Sequence, residues 1–337
     1  MEVNYAGSKG THLYFGDGDT VSNRNKLDPI YYDQGRTALN RQAPNPFYGV
    51  ITDPRSILSL PTVPYNRLLR PYPQYSGGMG GYMAPLNIGN SIYHSLQIKY
   101  EKRFSHGVNV LAHYTAAKLI SDSDVAASDV DWLGGGSGVQ SWKNLRLERS
   151  LSTQDIPQRA VIFVDYELPI GKGKMIGRGM GKPANSLLGG WEVSLGLTLS
   201  SGFPIVPALD SATLWDATQR PNLIGNPRAS GSVLDRLNSY FNVNAFSQPP
   251  PDVYGTAPRT LSYRSPGIRN GDFTLMKNVS VAEGKSLQFR LEAFNVTNTP
   301  TFGVPNSSLG SSSFGVISGY ASGRGARSVQ VALKFYY

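Results

Sequence analysis

Apolar and polar residues alternate with a period of two in several separate segments of about nine or ten residues, the length of a tilted membrane-crossing strand. The clearest is Trp191–Leu199. There Trp191, Val193, Leu195, Leu197 and Leu199 share one face, and Glu192, Ser194, Gly196 and Thr198 share the other. Successive strand side chains point to opposite sides, so this pattern predicts a sheet with one apolar and one polar face. In Ala160–Leu168 the residues Ala160, Ile162, Val164, Tyr166 and Leu168 stand against Asp165 and Glu167. In Ser95–Phe104 the apolar set Leu96, Ile98, Tyr100 and Phe104 opposes Gln97, Lys99, Glu101 and Arg103. Leu287, Phe289, Leu291 and Ala293 oppose Gln288, Arg290 and Glu292, and the closing stretch opposes Val329, Val331, Leu333, Phe335 and Tyr337 to Gln330, Ala332, Lys334 and Tyr336. Val108–Ala116 and Phe273–Val281 alternate more weakly, and a short first strand is expected near Glu2–Tyr5.

A soluble β-sandwich, with one face packed on a second sheet, would alternate in the same way. Connection lengths separate the two. Ser105-His106-Gly107 and Ala282–Ser286 read as short turns, whereas Gly/Pro/Ser/Asn-rich stretches of about 17–92, 120–157, 202–270 and 299–326 lack internal periodicity. Loops of that size are uncommon inside a compact soluble domain, and short turns at one end with long loops at the other characterise outer-membrane barrels. The expectation is therefore an all-β, antiparallel transmembrane β-barrel fragment of about eight strands. Its short turns would be periplasmic and its long loops extracellular, with residues 1–337 forming one barrel portion and no second domain. Phe104, Tyr166, Trp191, Phe335 and Tyr337 then fall at the periplasmic ends, and Tyr93, Phe203 and Phe273 at the opposite ends, as aromatic girdles.

Composition narrows the function. Charged residues make up 16% of the chain, against about 25% in an ordinary soluble domain, while Gly (37), Pro (23) and Tyr (19) are plentiful. The absence of cysteine excludes disulfides, thiol catalysis and cysteine-based zinc sites. The net charge of +9 invites a nucleic-acid reading, but the basic residues are scattered and form no recognisable motif, so no nucleic-acid partner is expected. No segment approaches the roughly 20 apolar residues of a membrane helix. The start, Met1-Glu2-Val3-Asn4-Tyr5, has neither the basic nor the apolar region of a signal peptide, so the chain by itself is expected to be less than a complete exported precursor.

Candidate chemistry is sparse. His12, His94, His106 and His113 show no metal-ligand spacing; His113 reads as a lumen or packing residue and His106 as part of a tight turn. The run Gly171–Lys174 and Gly177–Lys182 misses the spacing of a phosphate-binding loop, and no helix is expected after it; it reads as a flexible basic turn. Asp122, Asp124, Asp129 and Asp131 lack the Gly and closing Glu of a calcium loop and read as an exposed acidic loop. Asn278-Val-Ser280 and Asn295-Val-Thr297 match glycosylation sequons by chance, since both are expected within strands. No catalytic, cofactor or metal residue is expected. The residues facing the lumen would be Lys99, Glu101, Arg103, Asp165, Glu167, Glu192, Arg290 and Glu292, open to two readings: a solute path, or charges that line a solvated interior and pair with one another. No substrate-binding residue is assigned.

Motif pieces along most of the chain resemble a known family. Asn4–His12 (NYAGSKGTH), Gly89–Ser105 (GNSIYHSLQIKYEKRFS), Asn144–Arg149 (NLRLER), Tyr166–Lys174 (YELPIGKGK), Gly189–Glu192 (GGWE), Ser201–Pro204 (SGFP), Arg220–Pro227 (RPNLIGNP) and Leu287–Asn298 (LQFRLEAFNVTN) follow one another in the order found in Oar-like TonB-dependent outer-membrane receptors of the acidobacterial type. The end, Val331–Tyr337 (VALKFYY), is similar to the aromatic-ended signal by which such barrels are recognised for assembly. The resemblance implies uptake or export of a substrate at the outer membrane of a Gram-negative bacterium. It also implies a plug, a TonB-coupling segment and a barrel of about 22 strands, of which the N-terminal parts and about fourteen strands are not expected in this chain. Implied partners are outer-membrane lipid, lipopolysaccharide, the barrel-assembly machinery through the last strand, and TonB only through the missing N-terminal region. A small passive pore or anchor and a soluble carbohydrate-binding β-sandwich are the competing readings.

Overall fold

Each alternating segment becomes a strand of one antiparallel sheet. The computed structural model describes residues 1–15, 25–75, 86–105, 107–122, 140–141, 144–215, 218–321, 323 and 325–337. Its long strands are β1 (Glu2–Phe15), β2 (Leu86–Ser105), β3 (Val108–Ser121), β4 (Gln158–Glu167), β5 (Trp191–Ser200), β6 (Ile268–Ala282), β7 (Lys285–Phe294) and β8 (Ser328–Tyr336). They pair in chain order, and the two-residue strand Ser150–Leu151 adds to the end of β3.

Register carries the sequence alternation across the whole sheet. Val110, Val164, Leu195, Phe273, Ala293 and Val329 form one row of cross-strand partners, and Val108, Tyr166, Val193, Leu275, Leu291 and Val331 form another. The row between them, Asn109, Asp165, Ser194, Thr274, Glu292 and Gln330, points to the opposite side. A slip of one residue in any pair would put charge on the apolar face, so side-chain chemistry and pairing specify the same register. Leu96 (43%), Leu195 (41%), Val331 (63%) and Leu333 (67%) remain exposed, and Ile162 and Leu291 are half-buried. No second sheet packs on this row among the described residues, which removes the sandwich reading.

The strands run up and down. The strand ends joined through Ser105/Val108, Glu167/Trp191 and Ala282/Lys285 lie at one end, and those at Phe15/Leu86, Ser121/Gln158, Ser200/Ile268 and Phe294/Ser328 lie at the other. Gly284, at φ 72°, supplies the left-handed residue of the Glu283-Gly284 hairpin turn. Among the described residues β1 and β8 each pair with a single neighbour and not with each other, so the sheet is open.

Several expectations are corrected. The first strand is not short: β1 is 14 residues long and pairs along β2 with a register shift after Gly10, and small residues such as Gly7, Ser8 and Gly10 hide its alternation. Strand β2 reaches back to Leu86 and β6 starts at Ile268, so the long loops are shorter than expected. Those loops also fold: the largest fully buried apolar side chains, including Leu27, Leu39, Leu58, Ile205 and Phe241, all lie in them. Phe273 pairs with Leu195 at the middle of the sheet rather than at an end. Tyr93 belongs to the polar face, two positions from Ser95 and in register with Ser8 and Leu119. Asn295-Val-Thr297 lies in the turn after β7, with Asn295 at φ 51°. A helix, Lys182–Leu188, does follow the glycine-rich turn. Asp122 is buried, not exposed, and its carboxylate accepts from the Asn90 backbone N at 2.6 Å and Nδ2 at 3.1 Å. His106, Asp124, Asp129 and Asp131 lie outside the described residues. His113 is exposed on the polar face, in register with Lys99.

Replacing Leu195 by Arg should destabilise the protein in lipid by about 2–4 kcal/mol, the penalty for a cation at mid-band, while Ser194→Arg on the other face should change little. Denaturant unfolding in phospholipid vesicles measures both.

Candidate functional site: the polar wall and its outer cap

The polar face gathers every residue expected to face the lumen, and most of them pair with one another. Glu101 accepts from Lys99 at 3.1 Å and from Arg103 at 2.8 Å. Asp165 accepts from Ser194 Oγ at 2.7 Å and Asn109 Nδ2 at 3.0 Å. Glu167 pairs with Lys174 at 2.9 Å, and Arg290 with Glu292 at 3.4 Å. Glu192 stands opposite Glu167 in the register. The arrangement is a ladder of charges, most of them compensated by a neighbour, with Asp165 met by neutral donors and Glu192 facing another carboxylate.

Over the long-loop end of this wall the loops close into a cap with two apolar centres. In the larger, Phe241, Phe246 and Phe314 meet edge to face at centroid distances of 5.1–5.7 Å, beside Ile205, Leu261 and Ile317. Leu27, Tyr32, Leu39 and Leu214 form the smaller. Edge-to-face rings exceed their area burial by about 0.5–1.5 kcal/mol per pair, so the triad fixes how the segments 240–246 and 311–317 meet.

A buried ionic network ties this cap to the wall. Glu148 Oε2 accepts from Arg220 Nη1 at 2.7 Å, and Glu148 Oε1 accepts from the backbone N of Gln140 and of Ser141 at 3.0 and 3.1 Å. Arg220 also donates to the carbonyls of Ala257 and Leu147. The Gln140 amide oxygen accepts from the backbone N of Arg220 and Gly255, and its Nε2 returns a bond to Gly255 O at 3.1 Å. Gly255 is required here, because a Cβ would sit 1.8 Å from Arg220 O. Arg259, fully buried, donates to Glu148 O at 2.8 Å and to Ser121 O, at the end of β3, at 2.7 Å. Nearby Asp155 accepts from Arg264 and from Leu119 N. Burial pulls the Arg220 guanidinium below its ordinary value against the opposing pull of Glu148. Burial likewise pushes the Tyr240 hydroxyl from 10.0 to about 12.

Two cavities open where cap meets wall. One, of about 430 Å³, is lined by Asn270, Asp272, Asn295, Thr299, Thr301 and Ser328 among others. Asp272 Oδ1 accepts from Asn295 N at 2.9 Å, and Asn295 Oδ1 accepts from Thr299 N at 2.9 Å, which holds that lining in place. The other, of about 530 Å³, includes Arg236, Arg269, Asn298 and Phe302. The first lining is chiefly amides, hydroxyls and one carboxylate, whereas the second sets Arg236 and Arg269 among Val233, Leu234, Pro266, Pro300 and Phe302. Among the described residues no group of three His, Asp or Glu side chains is placed to hold a metal ion.

The family model described as "Outer membrane beta barrel domain" matches residues 1–330. This chain belongs to that family. The barrel domain thus sits in the outer membrane, with its apolar row toward lipid, its short turns periplasmic and its cap outside. A search of curated proteins found no match. Among solved structures the chain is similar to the siderophore receptor PiuA from Acinetobacter baumannii, at 12% identity and a TM-score of 0.36, over 75% of this chain and 23% of that one.

The cap residues of the barrel domain escaped the sequence reading as functional residues, although two of the motif pieces contain them. Glu148 lies in Asn144–Arg149 and Arg220 opens Arg220–Pro227, 72 positions away. Periodicity is silent on such a pair, because neither residue lies in an alternating segment. The aromatic girdle is better served: Phe104, Trp191, Phe335 and Tyr337 do lie at the periplasmic end, and Trp191 meets Phe289, an unforeseen member, edge to face at 5.9 Å.

Arg220→Leu leaves the Glu148 carboxylate buried without its cation and should cost the cap about 3–5 kcal/mol. Hydrogen exchange should show protection lost over residues 140–148 and 219–259 while β3–β6 stay protected.

Tyr240 binds its proton more tightly in the folded cap than unfolded, so its contribution is complete below pH 10 and is lost as pH rises toward about 12. An alkaline titration followed by tyrosinate absorbance should show cap opening in that window, and Tyr240→Phe should remove this part of the pH dependence.

Proposed function

We propose that this barrel domain forms part of the wall and the outer cap of an Oar-like, TonB-dependent transporter that moves a polar solute across the outer membrane. The observation that carries the reading is the convergence of the family-like motif pieces. Asn144–Arg149 and Arg220–Pro227 meet in one buried network, and Ser201–Pro204 lies beside it, with Gly202 O accepting from Arg264 at 3.2 Å. These pieces build a preorganised cap above a polar wall, with solute-sized cavities at the junction. Preorganised polar groups bind a passing solute without the entropy cost of ordering loops first.

The open edges support a portion of a larger wall over a closed eight-stranded pore, since unpaired strand edges in hydrocarbon cost several kcal/mol per polar group. The wall would contact phospholipid and lipopolysaccharide, and β8 with its aromatic end would engage the barrel-assembly machinery. TonB would act through a segment other than these residues. The domain's part is binding and passage, with no catalytic step and no nucleic-acid partner.

Reconstituted alone in liposomes beside an energised inner-membrane coupling complex, this chain should give no coupled uptake of small labelled peptides or oligosaccharides, and no steady single-channel conductance in planar bilayers. Steady conductance would favour the passive pore; coupled uptake would overturn the assignment of plug and coupling segment to other residues.

A further inference from the structure

The β4–β5 connection, residues 168–190, differs from the two short turns beside it. It is tied together by Gly171 N to Ile176 O at 2.8 Å, Lys172 N to Asn185 Oδ1 at 2.6 Å and Gly189 N to Asn185 O at 2.9 Å. Gly171, at φ 134°, leaves room for Asn185, whose Oδ1 would lie 2.9 Å from any Cβ. The helix Lys182–Leu188 then ends against the lipid side of the wall. Its Leu187 carbonyl accepts from Trp191 Nε1 at 3.1 Å and from Lys277 Nζ at 3.2 Å, and Lys277 also donates to Gly189 O. Trp191 and Lys277 belong to the apolar face, in one row with Phe289 and Leu333.

This tethered turn shows an unusual surface. Met175 (77%), Ile176 (51%), Leu187 (72%) and Leu188 (48%) are exposed. Lys172, Arg178 and Lys182 are exposed beside them, while Lys174 is engaged by Glu167. Residues 168–190 contain no Asp or Glu. Exposed apolar side chains with unopposed cations, held level with the edge of a lipid-facing band, match the chemistry of an interfacial membrane element.

We propose that residues 170–188 form such an element, which dips Met175, Ile176, Leu187 and Leu188 into the periplasmic leaflet and presents Lys172, Arg178 and Lys182 to anionic phospholipid headgroups. The inference rests on the outer-membrane reading of the wall, and its test separates the two. The chain has no cysteine, so single spin labels can be placed cleanly on the full chain in phosphatidylcholine vesicles containing phosphatidylglycerol. Labels at Ile176→Cys and Leu187→Cys should be reached by oxygen in preference to a water-soluble nickel chelate, like a label at Leu195→Cys in the lipid band. A label at Val253→Cys in an outer loop should show the reverse. If the two turn labels behave like Val253→Cys while Leu195→Cys stays in lipid, the inference falls and the membrane reading stands. If Leu195→Cys also reports water, both fall. In a second arm, Lys172→Gln, Arg178→Gln and Lys182→Gln are combined in one variant. Its preference for spin-labelled phosphatidylglycerol over phosphatidylcholine should drop by at least about fivefold, the loss expected for a single cation at an anionic surface; an unchanged preference would overturn the headgroup contact.

Discussion

Hydrocarbon offers no partner to a peptide N–H or C=O, and it penalises charge on any side chain that faces it. A wall of strands meets both demands only if its ladder is continuous and its pleat is sorted by polarity. The aligned rows from β3 to β8 satisfy the second demand, and the antiparallel ladder satisfies the first everywhere except along β1 and β8. Most charges lie on the polar face, where most of them compensate one another. By register Lys9, Lys102, Lys118, Arg269 and Lys277 depart from that rule; at the periplasmic edge the Lys277 ammonium is taken up by backbone carbonyls and the face of Trp191, 5.2 Å away. Near the interface the cost of a cation falls to about 0–1 kcal/mol, so a cation such as Lys277 is tolerable where it stands.

The same constraint moves the hydrophobic core. A wall that turns its apolar side chains outward cannot bury them against a second layer, so close packing is left to the loops. The cap therefore carries the fully buried residues and behaves as a small domain fastened to the wall through Arg259 and Ser121, and through Asp155 and Leu119. Its centre is ionic as well as apolar. A buried ion pair is a weak source of net stability, because desolvation offsets most of the attraction. What Glu148, Arg220 and Gln140 supply is position: each saturates several donors or acceptors on separate segments, which holds the loops 122–157 and 201–267 in one arrangement. On the proposed transport reading, a cap fixed in this way would meet a solute without first ordering its loops.

Much of this was determined by the amino-acid sequence alone. Strand positions, the two faces, the up-and-down order and the end at which long connections lie all follow from a period of two and from spacing, because pleat geometry is local and every residue of a strand reports it. The weak segments were those whose pairing, rather than composition, makes them strands: β1, with Gly7 and Gly10, and the early part of β2. The charged wall was legible for the same local reason. Tertiary structure alone decided the cap, the burial of Asp122, the mid-sheet place of Phe273 and the Glu148–Arg220 pair. Those depend on which distant segments meet once the loops fold over the wall, and side chains 72 positions apart leave no periodic trace of their contact.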